Sequence, residues 1–132
     1  MGYRVIDPES LAGTGEFPCD RRSLADAADL SVLAAAVYTL APGEQLSRSY
    51  HYHEQREELF FVLAGTLTVE TPEGAYEVPS GSAFVAERNS PIRPHNPQGA
   101  KEAVRVLGVG APQFDPGVEF DPDRDEHPAD PE

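Results

Sequence analysis

The sequence predicts an all-β protein, and two observations carry that prediction. From residue 46 onward, short runs of strand-forming residues recur at close spacing, at 46–53, 58–63, 66–71, 75–78, 82–86 and 103–109. Turn chemistry separates them: Gly65, "TPEG" at 71–74, "PSG" at 79–81 and "NSP" at 89–91. Regular short strands between Gly and Pro turns build a sandwich or a barrel. The length, 132 residues with 39% apolar residues, suits one domain with one sizeable core.

Before residue 46 the reading is mixed. "YRVID" at 3–7 reads as a short strand closed by Pro8, and residues 8–22, with Gly13, Gly15 and Pro18, read as loop. "SLADAADL" at 23–30 opens with an N-capping Ser and continues with good helix formers, which predicts a helical turn. "SVLAAAVYTL" at 31–40 is open: its alanines favour helix, while Val37, Tyr38 and Thr39 favour strand. "APGE" then marks a turn. The end of the chain, from residue 115 to 132, is acidic and Pro-rich and predicts a solvated tail, anchored at its start by Val118 and Phe120. The division is therefore 1–30 as an N-terminal strand, loop and helical turn, 31–114 as the β-barrel, and 115–132 as the tail of a single domain.

Charge narrows the partners. Twenty-three acidic residues oppose ten basic ones, for a formal net charge of −13, and Lys101 is the only lysine. So negative a surface repels nucleic acid and anionic membranes, so neither is expected as a partner. Abundant Asp and Glu with almost no Lys resembles the proteins of salt-loving microbes, a halophilic archaeon being the expected source, in which molar salt screens the self-repulsion. No stretch approaches the roughly 20 apolar residues of a membrane span. "DRRSLADAADLSVLAAAVYTL" resembles a twin-arginine export signal, but Asp26 and Asp29 interrupt its apolar part. A lone Cys19 cannot form an internal disulfide and reads as a reduced, half-buried filler. These features predict a cytoplasmic protein.

The chemistry concentrates in "SYHYHEQREELFFVLAGTLTV", residues 49–69. His51 and His53 are two apart, so on a strand they share one face, within reach of a single ion. Glu58 opens the next strand, and an antiparallel partner can bring it back beside the imidazoles. Two His and one carboxylate on one face of an ion leave open positions for water or substrate. Phe60 and Val62 share the parity of Glu58 and are expected to line the pocket behind it. Leu59, Phe61 and Leu63 take the other face, which predicts a strand buried on both sides. Tyr50 and Tyr52 alternate with the histidines and should pack away from them. Glu54, Arg56 and Glu57 read as surface charges.

The spacing strengthens the reading. His51, Tyr52, His53, four residues, Glu58, "LFFVLA" and Gly65 match the first motif of the cupin superfamily, His-x-His-x(3,4)-Glu-x(6)-Gly. The family's upstream Gly is not matched. In its second motif, Gly-x(5)-Pro-x-Gly-x(2)-His-x(3)-Asn, the count from Gly81 falls on Glu87, Asn89, Ile92 and Asn96. Gly81 and Asn96 match. Asn89 for Gly is mild, because Asn tolerates positive φ, but Ile92 replaces a family metal ligand. The chain thus resembles a small cupin over roughly residues 31–110.

The resemblance implies a double-stranded β-helix, or jelly-roll, barrel with a metal at its mouth, held by His51, His53 and Glu58, with Ile92 as an apolar wall. It implies a divalent ion such as Fe, Mn, Zn or Ni, partly loaded for want of the fourth ligand. It also implies a homodimer, with residues 3–7 free to join the partner's sheet. His95 is a candidate replacement ligand only if a bulge among Pro91, Pro94 and Pro97 turns it inward, because on a regular strand it points opposite to Ile92 and Asn96. His127 lies in the tail and is expected to be solvated. Two functions stay open: a cupin that binds a metal and a small molecule without turnover, or a metal-dependent enzyme of dioxygenase, isomerase or decarboxylase type.

Overall fold

The computed structural model describes residues 2–15 and 17–129. Among the described residues, ten strands, one short helix and one 3-10 turn make up the fold, confirming an all-β double-stranded β-helix. The strands and helix are β1 Asp20–Ser23, α1 Leu24–Ala28, β2 Ala34–Leu40, β3 His51–Tyr52, β4 Glu57–Ala64, β5 Thr66–Thr71, β6 Gly74–Pro79, β7 Ala83–Ala86, β8 Arg93–His95, β9 Val104–Ala111 and β10 Val118–Glu119. One sheet runs β1-β2-β9-β4-β7. The other begins β6-β5-β8, and single bridges from Gln45 to His95 and from His51 to Ile92 carry it on to β3, which pairs with β10. Every pairing between these strands is antiparallel.

Alternation explains how the sheets face each other. Along β9, Val104, Val106, Gly108 and Gly110 are buried and the residues between them are not. On β4 the buried positions are Phe60 and Val62. They meet Leu40, Leu67, Val69, Val78 and Ile92 in one core. Gly65 makes the tight link from β4 to β5 with φ +77°, and a Cβ there would lie 2.5 Å from the Ala103 carbonyl oxygen. Any other residue would be strained on both counts.

The second-motif positions shape the loops. Asn89 adopts φ 62°, as its place for a glycine predicts. Asn96 is almost fully buried; its Nδ2 donates to the Leu40 carbonyl at 3.0 Å and to the Glu102 carbonyl at 2.8 Å. Its backbone pairs with Glu44 and Gly43. It is a clamp between the 41–44 turn and the start of β9.

Four expectations are corrected. Residues 3–7 form no strand; the segment runs unpaired into a 3-10 turn, Pro8–Ser10, capped by the Asp7 carboxylate accepting from the Glu9 N–H. The 8–22 loop ends in a strand, β1, which pairs with β2 and settles residues 34–40 as strand. Of 46–53, only His51–Tyr52 is regular, because the neighbouring chain touches it through single bridges. Leu59, Phe61 and Leu63 are not buried on a second side; they are 39%, 36% and 44% exposed, and Val85, the neighbour of Leu59 across β7, is 60% exposed. The helical turn stands as expected, with Ser23 accepting from the Asp26 N–H. Cys19 is buried filler, and the apolar surroundings push its thiol up to about 12.

Candidate metal centre

The three candidate ligands come from β3, the residue just past its end and β4, which the fold brings together at one end of the core. His51 opens β3, and its backbone exchanges hydrogen bonds with Ile92 at 3.1 and 2.9 Å. The His53 carbonyl accepts from the Asn89 N–H at 2.7 Å. Glu58 sits near the start of β4, on the inward face with Phe60 and Val62. The result is a cluster in which one ligand atom from each of His51, His53 and Glu58 lies within 4.8 Å of the others. The imidazoles meet edge to face with centroids 5.3 Å apart, and His53 Nε2 is 3.7 Å from Glu58 Oε1.

The far nitrogens of both rings are engaged. His51 Nδ1 is 3.2 Å from the Ser49 carbonyl, to which it can only donate, and 3.1 Å from Ser47 Oγ. His53 Nδ1 faces the Asp115 carboxylate at 3.3 Å, off the ideal hydrogen-bond line. A proton on each Nδ1 leaves each Nε2 lone pair free for an ion. Burial is the main cause that lowers both histidines' pKa, and the Arg56 guanidinium adds to it. Both shifts favour the neutral ring, the form that coordination requires.

Burial pushes Glu58 up to about 7; Arg56 opposes this and Asp115 adds to it. Among the described residues its carboxylate has no hydrogen bond, only Arg56 Nη1 at 3.8 Å and His53 at 3.7 Å. A sequestered carboxylate without donors, beside two free imidazole lone pairs, is complementary to a cation. The donor set therefore fits a divalent metal.

Several contributors were invisible in the sequence. Asp115 follows β9, and its Oδ2 accepts from the N–H groups of Gln55 and Arg56, at 3.1 Å each. Burial alone would raise its pKa, but those two donors and His53 hold it below the usual carboxylate value. Arg56 is no surface charge: it is 16% exposed, lies over Gly110, and donates to the carbonyls of Pro112 and Gln113. Gly117 leaves room for the His51 ring, which a Cβ there would approach to 3.1 Å. Phe120 is buried against Tyr50 and Tyr52, with centroids 5.4 and 6.3 Å away. Asp115 and Gly117 thus wall the site's cleft, while Phe120 anchors the segment against the tyrosines, as the sequence predicts. Distance in sequence from the histidines hid Asp115 and Gly117.

The remaining candidates fall as follows. Ile92 lies directly across from His51, so its side chain takes the same face, and it is buried in the core. Phe60 walls a side cleft with Glu58 and Arg56, whereas Val62 is sealed in the core. His95 is not turned inward. No bulge interrupts β8; Pro94 pairs regularly with Val69, and the His95 ring sits 3.3 Å from the Arg93 carbonyl and 3.9 Å from Glu70. His127 is exposed. The triad opens onto a cleft of about 310 Å³ lined by Tyr38, Leu46, Ser47 and Asp115 among others. No helix among the described residues is long and apolar enough to cross a membrane.

The family model described as "Cupin domain" matches residues 36–109, more than half of the chain. The chain is a cupin. No curated protein matches its sequence. Among solved structures, the cupin resembles a protein of Acidithiobacillus ferrooxidans proposed to be a sugar phosphate isomerase, at 26% identity and TM-score 0.63, over 70% of this chain and 58% of that one. It also resembles a sugar phosphate isomerase of the cupin superfamily from Silicibacter pomeroyi, at 21% identity and TM-score 0.71, over 82% of this chain and 75% of that one. The polyketide cyclase RemF of Streptomyces resistomycificus shares 20% identity at TM-score 0.73, over 89% of this chain and 84% of that one. This cupin thus spans little more than half the length of the first of these proteins, and the likeness to the other two is one of fold.

Proposed function

We propose that this cupin binds one divalent metal ion through His51, His53 and Glu58 and receives a small molecule in the cleft beside it. The observation that carries the reading is the cluster itself: three ligand atoms within 4.8 Å, both imidazoles turned with Nδ1 engaged, and a carboxylate lacking donors. A bound Fe, Mn, Zn or Ni ion would supply Lewis-acid or redox chemistry there. The chain's own residues orient and neutralise the ligands: Ser49 and Asp115 fix the ring tautomers, and Ile92 keeps one side apolar. Elemental analysis and titration calorimetry test this. One ion per chain is expected, removable by chelator and lost in His51→Ala and His53→Ala with the fold retained. Wild type that takes up no ion contradicts the reading.

A catalytic role is a second reading, favoured by the triad's opening onto the cleft. The relatives that are isomerases or cyclases keep that class of chemistry open for this chain. Turnover of a small molecule that depends on added metal, and stops in His53→Ala, would establish it.

The setting is proposed as cytoplasmic, homodimeric and adapted to high salt. The apolar face of Leu59, Phe61 and Val85 and the unpaired residues 3–7 support a second copy as partner. Light scattering that returns only the 14.3 kDa monomer contradicts it.

A further inference from the structure

Arg21 lies on β1 directly across from Tyr38 on β2, so both side chains leave the sheet on the same face. Both line the cleft that contains His51, His53 and Glu58. The guanidinium is held in place: the Phe17 ring covers it at 4.4 Å, and Nη1 is 3.4 Å from Thr14 Oγ1. Its Nε is buried and has no hydrogen-bond partner. The ion pairs among the described residues engage Arg22, Arg56, Arg93, Arg105 and Arg124, and none engages Arg21.

A buried N–H without an acceptor is costly, and a guanidinium's more so. Elsewhere the molecule shows what fills such an edge. Arg93 grips the Glu70 carboxylate side-on, with Nε at 3.0 Å from one oxygen and Nη2 at 2.8 Å from the other. Arg21 has the same edge without the carboxylate. Arg56, the other cation of the cleft, is already committed to the carbonyls of Pro112 and Gln113. In a chain of net charge −13, a preplaced cation with no acid in ion-pair contact among the described residues is set for an anion brought from outside.

We propose that the cleft takes a small organic anion, a carboxylate or a phosphate ester, whose acidic group is held by the Arg21 guanidinium while the rest of the molecule extends toward His51, His53 and Glu58. This deepens, and rests on, the reading of the cleft as a small-molecule site. The Tyr38 hydroxyl interacts with the Arg21 guanidinium on the same wall and shares in placing it. The overall negative field works against adventitious anion binding, so binding that survives it reports a built site.

Titration calorimetry on the full chain, metal-free and manganese-loaded, tests the proposal with glycerol 3-phosphate, lactate and neutral glycerol. At least one anion is expected to bind once per chain, with glycerol inert; which one binds assigns phosphate or carboxylate as the acidic group. Arg21→Gln is expected to weaken that binding by about tenfold or more. Arg21→Lys, which keeps the charge and stem but loses the planar guanidinium, should weaken it severalfold and stands in if Arg21→Gln does not fold. Both variants should keep the manganese affinity. No anion binding, equal binding of glycerol, or binding untouched in both variants overturns the proposal. Manganese binding without anion binding overturns this inference alone, whereas Arg21-dependent anion binding without manganese binding supports it and overturns the metal reading.

Discussion

The two cupin motifs of this chain have parted company. The first, from His51 to Gly65, keeps the residues that carry chemistry. The second, from Gly81 to Asn96, keeps only those that carry architecture. Asn89 holds the positive φ and donates to the His53 carbonyl, Ile92 pairs by backbone with His51, and Asn96 clamps Leu40 to Glu102. The second motif therefore still positions both histidines of the first, although it no longer contributes a ligand. Scaffolding by backbone depends on conformation and survives a change of side chain. Coordination depends on the side chain and does not.

The sharpest way to break this comparison is to exchange one residue from each motif. Asn96→Ala strips the Leu40 and Glu102 carbonyls of their donor and is expected to cost about 2–3 kcal/mol of stability, with metal affinity per folded molecule unchanged. His53→Ala should do the reverse, losing metal binding by more than about 100-fold with little loss of melting temperature. Calorimetric melts and metal titrations on the same samples check both. A stable Asn96→Ala would remove the architectural role assigned to the second motif.

A smaller effect should follow at Asp115, which touches one ligand and coordinates nothing. Asp115→Asn is expected to weaken metal binding by about 10–100-fold, the usual range for a group that orients a ligating histidine. Unchanged affinity would make Asp115 a loop anchor only.

Proton linkage sharpens the account of Glu58. Its folded pKa of about 7 lies above the ordinary 4.5, so the metal-free fold holds a proton that the unfolded chain has released. That contribution to stability is complete below about pH 4.5 and is lost as pH rises through about 7. The histidines run the other way: their lowered pKa favours the fold above 6.5, and this is lost as pH falls through their folded values. Metal binding, which needs the carboxylate, should release most of one proton at pH 6 and little at pH 8. Calorimetry in buffers of different ionisation enthalpy reads this directly, and a release that does not change with pH contradicts it.

The mildest perturbation is salt. Raising ionic strength from 0.15 M to 1 M shortens the Debye length from about 8 to about 3 Å, so melting temperature should climb through this range as the excess of acids is screened. A melting temperature indifferent to salt would leave the high-salt adaptation without support.

How much of this was legible in the sequence depended on where the determining contact lay. β5 and β6 could be read because turns bracket alternating residues, and Glu58 because strand parity fixed its face. β1, β8 and β10 could not: each is two to four residues long, and Arg93–His95 has a proline at its centre. Asp115 and Gly117 sit in an acidic stretch whose composition says solvent, and only the chain reversal after β9 carries them back to the histidines. The outward Leu59, Phe61 and Leu63 follow alternation correctly, but alternation does not say whether a second surface covers them.

The most direct test of the central claim compares wild type with Ile92→His by metal titration. Ile92 faces the same side as His51 and is buried, so a histidine there should become a further ligand. The predicted result is one ion per chain in both proteins, bound more tightly in Ile92→His by at least the roughly tenfold that even an outer partner contributes, and abolished in both by His53→Ala. Wild type that binds no ion, together with an Ile92→His variant that gains none, would contradict the account.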